Sequence, residues 1–393
     1  MKVLVYLVKR ELAAFWQNKI LVIVFLVMPT VLATILGFVY FQGRVERLPI
    51  MVVDEDHSPL SATFVEMLSD DHTLHVTTTG YSTTDLDHLM IEKKLVAIVV
   101  IPYRFEANVS VNRHPEVNCY LNMTNTLTGG AAGSAIGMAA ATLNAGILLT
   151  TLERKDMPVS AAESRFEAFQ HNLFQQYNTS SNYLYYLWPG LIFAILHQVL
   201  LLATAGSFSR EFANNSFNAA GLFSYTRSPF KLILVKIIPF IGLAKVTFAA
   251  YFILSAFFKI PAPVHPDVLF TASLLMLTSA SLLGTLCSIT YPMPLHASQT
   301  LMSIASPAFS LSGFSWPADQ MPVVLRAIAD IIPLTPFLRI LRLTWLQGAN
   351  IEQVMPLVYH QLILVAVYFL LTYIVLRKKM KLALKPLPLV PAT

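Results

Sequence analysis

Asp54-Glu55-Asp56-His57 sets three carboxylates and an imidazole in consecutive positions, and oxygen-rich clusters of this kind can hold hard divalent cations. The flanking residues fit a second reading better. The cluster follows a short apolar run, 50–53, and precedes Ser58-Pro59, a cap and first-turn proline. That places the acids beside a helix N-terminus, where negative charge is favoured. No second ligand cluster lies nearby in sequence, so the expectation is no bound metal. The sequence carries no GxxxxGK[ST] phosphate loop, no GxSxG, no zinc-type histidine spacing and no Cys/His pair of recognisable spacing. It reads as a non-enzyme that binds no cofactor itself. Polar residues within apolar stretches are more telling, because a charge at membrane depth is costly and faces a bundle interior or a watery route. Lys245 lies within 233–256, and His197 with Gln198 within 186–207. All three are candidates for lining a translocation route or subunit interface. Lys245 could equally be a structural partner for a helix carbonyl or a carboxylate.

The elements around these residues must be membrane-spanning. Of 393 residues 55% are hydrophobic and 12% charged, and mean hydropathy is +0.60, too apolar for an ordinary soluble domain. Stretches 20–41, 186–207, 233–256, 268–290, 298–314 and 357–376 each approach the roughly 20 residues a spanning helix needs. The fifth is short, Ser-rich and interrupted by Pro307. Basic residues in short segments stay on the cytoplasmic side. Lys2, Lys9, Arg10 and Lys19, then Arg210, Arg227 and Lys231, then Arg377, Lys378, Lys379, Lys381 and Lys385 fall on one side if there are six crossings. Both termini are then cytoplasmic, and 42–185 faces out. A rival span through 129–149 would put the basic tail outside. The +5 charge follows this topology, since 42–185 holds 16 of the 22 acidic residues and 9 of the 27 basic ones. Nothing suggests a nucleic-acid partner.

Residues 1–19 predict an amphipathic helix along the membrane surface, with Leu4, Leu7, Val8, Leu12 and Phe15 on one stripe. No cleavable signal peptide is expected, because the first apolar run follows a basic leader without a small-residue cleavage site. The 42–185 segment alternates strand and helix signals. Strands are predicted at 50–53, 74–78, 96–101 and 117–121, and helices from Pro59, over 82–93 and over 126–152, which together make a small α/β domain. Gly129, Gly133 and Gly137 would let two helices approach closely, within the domain or across a dimer. Cys119 and Cys287 lie in different regions and are not expected to meet. The fold class expected is an α-helical membrane protein, six transmembrane helices with an inserted extracytoplasmic α/β domain. Its parts are a leader 1–19, a helix 20–41, the domain 42–185, five further helices in 186–376 and a tail 377–393.

Three segments resemble the membrane subunits of type-2 ABC exporters, in the bacterial branch with a large outer domain after the first span. Lys9-Arg10-Glu11-Leu12 with Phe15, Trp16 and Asn18-Lys19 looks like the family's interfacial elbow helix. Ser312-Gly313-Phe314-Ser315-Trp316-Pro317, then Met321-Pro322 and Ile332-Pro333-Leu334-Thr335-Pro336, is similar to the signature before its last span. Val52-Val53-Asp54-Glu55-Asp56 with Ser58-Pro59-Leu60-Ser61 resembles the start of its outer domain. The resemblance implies a dimeric 12-helix channel driven by two ABC ATPase subunits that bring ATP and Mg. It implies a coupling helix in the loop 208–232, an outer gate segment over 315–356 and, by analogy, a periplasmic adaptor in a Gram-negative inner membrane. Of the family's charged coupling stretch only Arg210-Glu211 remains, followed by Phe212 to Ser216. Coupling to the ATPase is expected of Arg210, Glu211, Phe217 and Phe223, the phenylalanines being read as exposed, with Lys9, Arg10 and Glu11 of the leader. The translocation path is expected at Lys245, His197, Gln198, Pro307, Ser312 and Gly313. A surface receptor or scaffold, or an ion-coupled secondary transporter, are the competing readings. The latter should show inverted repeats, and none is visible.

Overall fold

A computed structural model of the chain describes residues 2–80, 86–111, 113–153 and 176–384. The expected helix start at Ser82 and the tail from Lys385 lie outside the described residues. The chain divides into two compact units, Arg44–Phe174 and a helical unit formed by Met1–Gly43 with Gln175–Thr393.

The 44–174 unit is a three-layer α/β domain. Strands β1 (Leu48–Asp54), β2 (Leu74–Gly80), β3 (Ala97–Ile101) and β4 (Asn118–Leu121) form one sheet in the order β2-β1-β3-β4. Both β2 and β3 run parallel to β1, whereas β4 is antiparallel to β3. Alternation along β1 divides its side chains between two faces. Leu48, Ile50 and Val52 meet Phe64 and Leu68 of α3 (Pro59–Asp70) and Ala132, Ala135, Ile136 and Leu143 of α6 (Thr126–Glu153). Met51 and Val53 face Leu89 and Met90 of α4 (Leu86–Glu92). A short helix α5 (Phe105–Ser110) was not foreseen.

The helical unit begins with α1 (Lys2–Gln17), which packs Leu7 and Phe15 against α10 (Pro229–Phe257). Helix α2 (Lys19–Val39) widens into a π-turn over Ile23–Val27. This falls one turn before Pro29, whose ring displaces the carbonyl four residues back and whose nitrogen donates nothing. Edge-on contacts among Phe15, Phe25 and Phe240, with centroids 5.8 to 6.2 Å apart, join α1, α2 and α10. Around α7 (Tyr183–Ala205) pack α2, α10, α11 (Pro266–Thr290), α12 (Pro294–Leu311) and α14 (Leu334–Leu341), and α15 (Ile351–Ala383) lies along α11. The short helices α8 (Ser209–Ala213) and α9 (Leu222–Tyr225) connect α7 to α10, and α13 (Val323–Asp330) precedes α14.

Among the described residues six helices are long and apolar enough to cross a membrane, but they are not quite the six expected. Helix α12 is not among them, because Ser298, Gln299, Thr300, Ser303, Ser306 and Ser310 dilute its apolar residues. Thr126–Thr151 qualifies instead, although it buries one face on its own domain's sheet.

Candidate functional site

Where α7 ends, the chain turns through 206–208 into α8, and Ser288 of α11 holds this turn by accepting from the backbone N–H groups of Phe208 (2.8 Å) and Ser209 (2.9 Å). The turn carries Glu211 into the apolar bundle, where a lone carboxylate would be prohibitively costly. It is matched from two helices. Glu211 Oε1 accepts from Arg10 of α1 (2.6 Å) and from Lys236 Nζ of α10 (2.8 Å), and Oε2 accepts from the Ser216 hydroxyl. Lys236 also donates to Glu11 Oε1 at 2.8 Å, so two cations and two carboxylates balance. The Lys236 side chain is only 2% exposed, and its ammonium lies 5.6 Å from the Phe208 ring centroid. Arg210 folds back over Gly206, its guanidinium where a Cβ at 206 would need to be. One network of ions, buried at Glu211 and Lys236 and part-exposed at Arg10 and Glu11, thus ties the leader helix, the 206–228 connection and α10 together.

The expectation that Phe217 and Phe223 are exposed is corrected here. They are 9% and 3% exposed, and Phe217 packs edge-on against Phe208, Phe212 and Phe223, with centroids between 4.6 and 6.1 Å apart. The connection is too short to build a core of polar residues, so its phenylalanines anchor it to the bundle. Among the residues it shows outward are Asn214, Asn215, Asn218, Tyr225 and Arg227. Tyr225 packs on Tyr6 of α1 at 5.5 Å, and Lys9 is exposed on the same helix.

The start of α7 meets the 312–317 turn. Gly313 takes φ +84°, which a residue with a Cβ adopts only at a cost, and this lets Phe314 double back onto α7. Its ring stacks on Tyr186 (5.6 Å) and covers Gly190, where an added Cβ would lie 2.5 Å from the ring. Tyr186 Oη donates to the Phe314 carbonyl at 2.6 Å. Arg342, first residue of a π-turn over Arg342–Leu346, donates to the carbonyls of Gly313 (3.1 Å) and Phe314.

A match to the family model for ABC-2 family transporter protein covers residues 19–374, nearly the whole of both units. The chain belongs to the ABC-2 transporter family. Two curated relatives, both named probable multidrug ABC transporter permease YbhS, come from Escherichia coli strain K12 and from E. coli O157:H7. Each is 28% identical over 207 residues, 52% of this chain and 54% of the relative. The chain therefore spans about half the length of the curated relatives it matches. As a member of that family it is a multi-pass membrane protein.

The permease's other expected path residues are dispersed. Lys245 does not enter the core of the bundle. It is half-buried on α10 with its ammonium 5.0 Å from the Phe270 ring centroid, and the buried lysine of that helix is Lys236. His197 is 1% exposed in mid-α7, and neither ring nitrogen has a hydrogen-bond partner. Gln198 reaches Met302 Sδ of α12 at 3.5 Å. Pro307 is exposed on α12, whereas Ser312 is fully buried, donating to the Phe309 carbonyl and accepting from Phe314 N–H. Between α2 and α7 opens an apolar cavity of about 260 Å³, lined by Leu21, Val24, Phe25, Val199 and Leu202 with Asn18 at its polar end. Two residues escaped the sequence reading. Lys236 sits near the end of an apolar stretch, where lysines ordinarily snorkel to water, and only the pairing of Glu11 with Glu211 could have flagged it. Arg342 lay within a long segment read as a whole.

In the inserted domain the acidic cluster forms a turn. Asp54 Oδ1 accepts from the N–H groups of Asp56 and His57, and Oδ2 from the Ser61 hydroxyl, while Asp56 Oδ2 accepts from Glu106 N–H at the start of α5. Ser58 and Ser61 complete a capping box on α3. Both aspartates are thus engaged in capping and turn geometry. Among the described residues no three acidic, His or Cys side chains are grouped to hold a metal.

Proposed function

We propose that this chain is the permease subunit of an ATP-driven exporter. Two permeases, identical or paralogous, form the path for an amphiphilic or hydrophobic cargo of drug, lipid or glycan type, and a separate ATPase subunit binds ATP and Mg. The subunit docks on the face formed by α1 and the 206–228 connection. The observation that carries this reading is the Arg10–Glu211–Lys236–Glu11 network, with Glu211 and Lys236 buried at its centre. A docking protein that pushes on α1 or α8 pushes on both, and through Lys236 on α10, because separating these ions would strand charges in an apolar end. The apolar cavity between α2 and α7 favours a cargo with a hydrocarbon portion. The reading places the protein in a bacterial inner membrane with both termini cytoplasmic and the α/β domain outside, open to a periplasmic adaptor.

With Phe217 and Phe223 buried, docking falls to the exposed Asn214, Asn218 and Tyr225 beside Lys9. Tyr225→Glu combined with Asn218→Glu, in full-length permease co-expressed with its ATPase, is expected to abolish co-purification and cargo-stimulated ATP hydrolysis while leaving the permease monodisperse. Undiminished ATPase binding in that variant would move the docking face elsewhere.

A further inference from the structure

The 312–317 turn is fastened by a group that has no carboxylate to answer it. Arg342 lies within ion-pair distance of no acidic side chain among the described residues. Its charge is met by the Gly313 and Phe314 carbonyls and by two ring faces, Phe314 at 4.8 Å and Tyr186 at 5.9 Å from the guanidinium carbon. Its Nε is buried without a partner. Every one of these contacts crosses between elements: Tyr186 begins α7, Phe314 follows α12, and Arg342 follows α14. The arginine sits on a π-turn, an irregularity that aims a side chain off the regular helical face. The turn depends on Gly313 in the left-handed region and on Gly190 to receive Phe314, so it is shaped to lie flat on α7, where Tyr186 and the Phe309 ring share with Arg342 the task of holding it.

The geometry points to Arg342 as a positioning residue for transport: it latches the Gly313-Phe314 turn onto the first turns of α7, and cargo leaves when the latch opens. This rests on the exporter reading for what is released, but the latch itself is a property of one chain. Carbonyls and ring faces suit the task because they bind a guanidinium well yet are left neutral when it departs, so opening strands no buried anion.

The test uses full-length permease in detergent carrying Cys119→Ser and Ser312→Cys, with native Cys287 of α11 as internal reference. Ser312 is fully buried, so a thiol there is expected to react slowly with a maleimide while the turn is closed. Arg342→Met should raise the rate at 312 by about tenfold or more, the shift expected on losing one charge-assisted hydrogen bond, with the rate at 287 unchanged. Arg342→Lys, which keeps charge but not the planar fork, should move the same way. Unchanged labelling at 312, or an equal rise at 287, would overturn the latch in favour of a general packing role. If Arg342→Met does not fold, Tyr186→Phe removes a single hydroxyl from the same turn; a rise at 312 alone supports the latch and no rise overturns it. No nucleotide or partner is present in this assay, so failure of the exporter reading would appear separately, as wild-type permease that never supports ATP-dependent transport.

Discussion

Glu211 and Phe314 stand near opposite ends of α7, a helix whose 23 residues span about 35 Å. Around Glu211 and Lys236, both buried, four full charges and a hydroxyl meet, with the Arg10 side chain 35% exposed at the edge, while around Phe314 one cation faces carbonyls and rings. The difference teaches how each end can move. Parting the ions leaves bare charges in a medium that cannot solvate them, so elements joined by Glu211 and Lys236 move together or not at all. Parting Arg342 from neutral carbonyls costs a few hydrogen bonds, within reach of ordinary binding energy. A rigid joint at one end and a releasable one at the other is what force transmission along a bundle requires.

The largest effect should come from the aromatic anchor under the ion network. Phe217→Asp with Phe223→Asp removes two buried rings and inserts two carboxylates, a loss of at least about 3–5 kcal/mol for one ring alone. Aggregation or failure to insert is the expected result, read by size-exclusion chromatography. A monodisperse, thermally normal double variant would show that the connection is held by something other than its phenylalanines.

Lys236→Met comes next. It leaves Glu11 without its cation and Glu211 with Arg10 alone, a break expected to cost about 3–5 kcal/mol. Adding Glu11→Gln and Glu211→Gln should recover part of the loss in thermal unfolding, because the stranded charges disappear with their partner. Equal destabilisation in single and triple variants would break the contrast between the two ends, since it would mean that Lys236 packs rather than pairs.

At the other end Gly190→Ala drives a Cβ into the Phe314 ring, an overpacking worth about 1–3 kcal/mol. Phe314→Leu should relieve it. The same pair of substitutions sharpens the comparison, for this end should lose its closure without losing the fold, and thermal unfolding should change less than the accessibility of a thiol at 312.

How far the sequence could reach differs along the chain for physical reasons. In the inserted domain short apolar runs and Ser58-Pro59 announced the strands and the first helix closely, since local pattern decides them. Helix α5 escaped because its cap, Asp56, comes from 50 positions away. In the bundle, apolar length revealed α2, α7, α10, α11 and α15, but it also nominated the Ser-rich 298–314, which falls short as a span, and set aside 129–149, whose helix α6 is long and apolar enough for one. Arg10, Glu11, Arg210 and Glu211 were expected from resemblance to face an ATPase; the structure joins Arg10, Glu11 and Glu211 through shared ion pairs and turns Arg210 back over Gly206. Their shared partner Lys236 and the burial of Phe217 and Phe223 depend on tertiary packing that no local pattern encodes. Arg342 is legible only once α14 is seen to pass behind the 312–317 turn.

The smallest effect expected is at Asp56, where a carboxylate serves neutral N–H groups, a third arrangement between the two ends of α7. Partial burial acts to raise the Asp56 pKa, but bonds from Glu106 N–H, the Ser58 hydroxyl and the N–H groups of Phe105 and Arg104 outweigh it and hold the carboxyl below its usual range. A lowered folded-state pKa contributes stability that is present above the unfolded value near about 3.9 and is lost as pH falls through the folded value. Asp56→Asn keeps an acceptor and gives up the charge, and Asp56→Ala gives up both, for about 1 kcal/mol as a lost helix cap. Hydrogen exchange of the α5 amides in the intact protein should therefore quicken in Asp56→Ala at pH 7. The gap between wild type and variant should narrow as pH is lowered below about 4, because protonation weakens the cap that the substitution removes. A gap that stayed constant down to pH 2 would mean that α5 is held by its packing alone, with no part played by the carboxylate's charge.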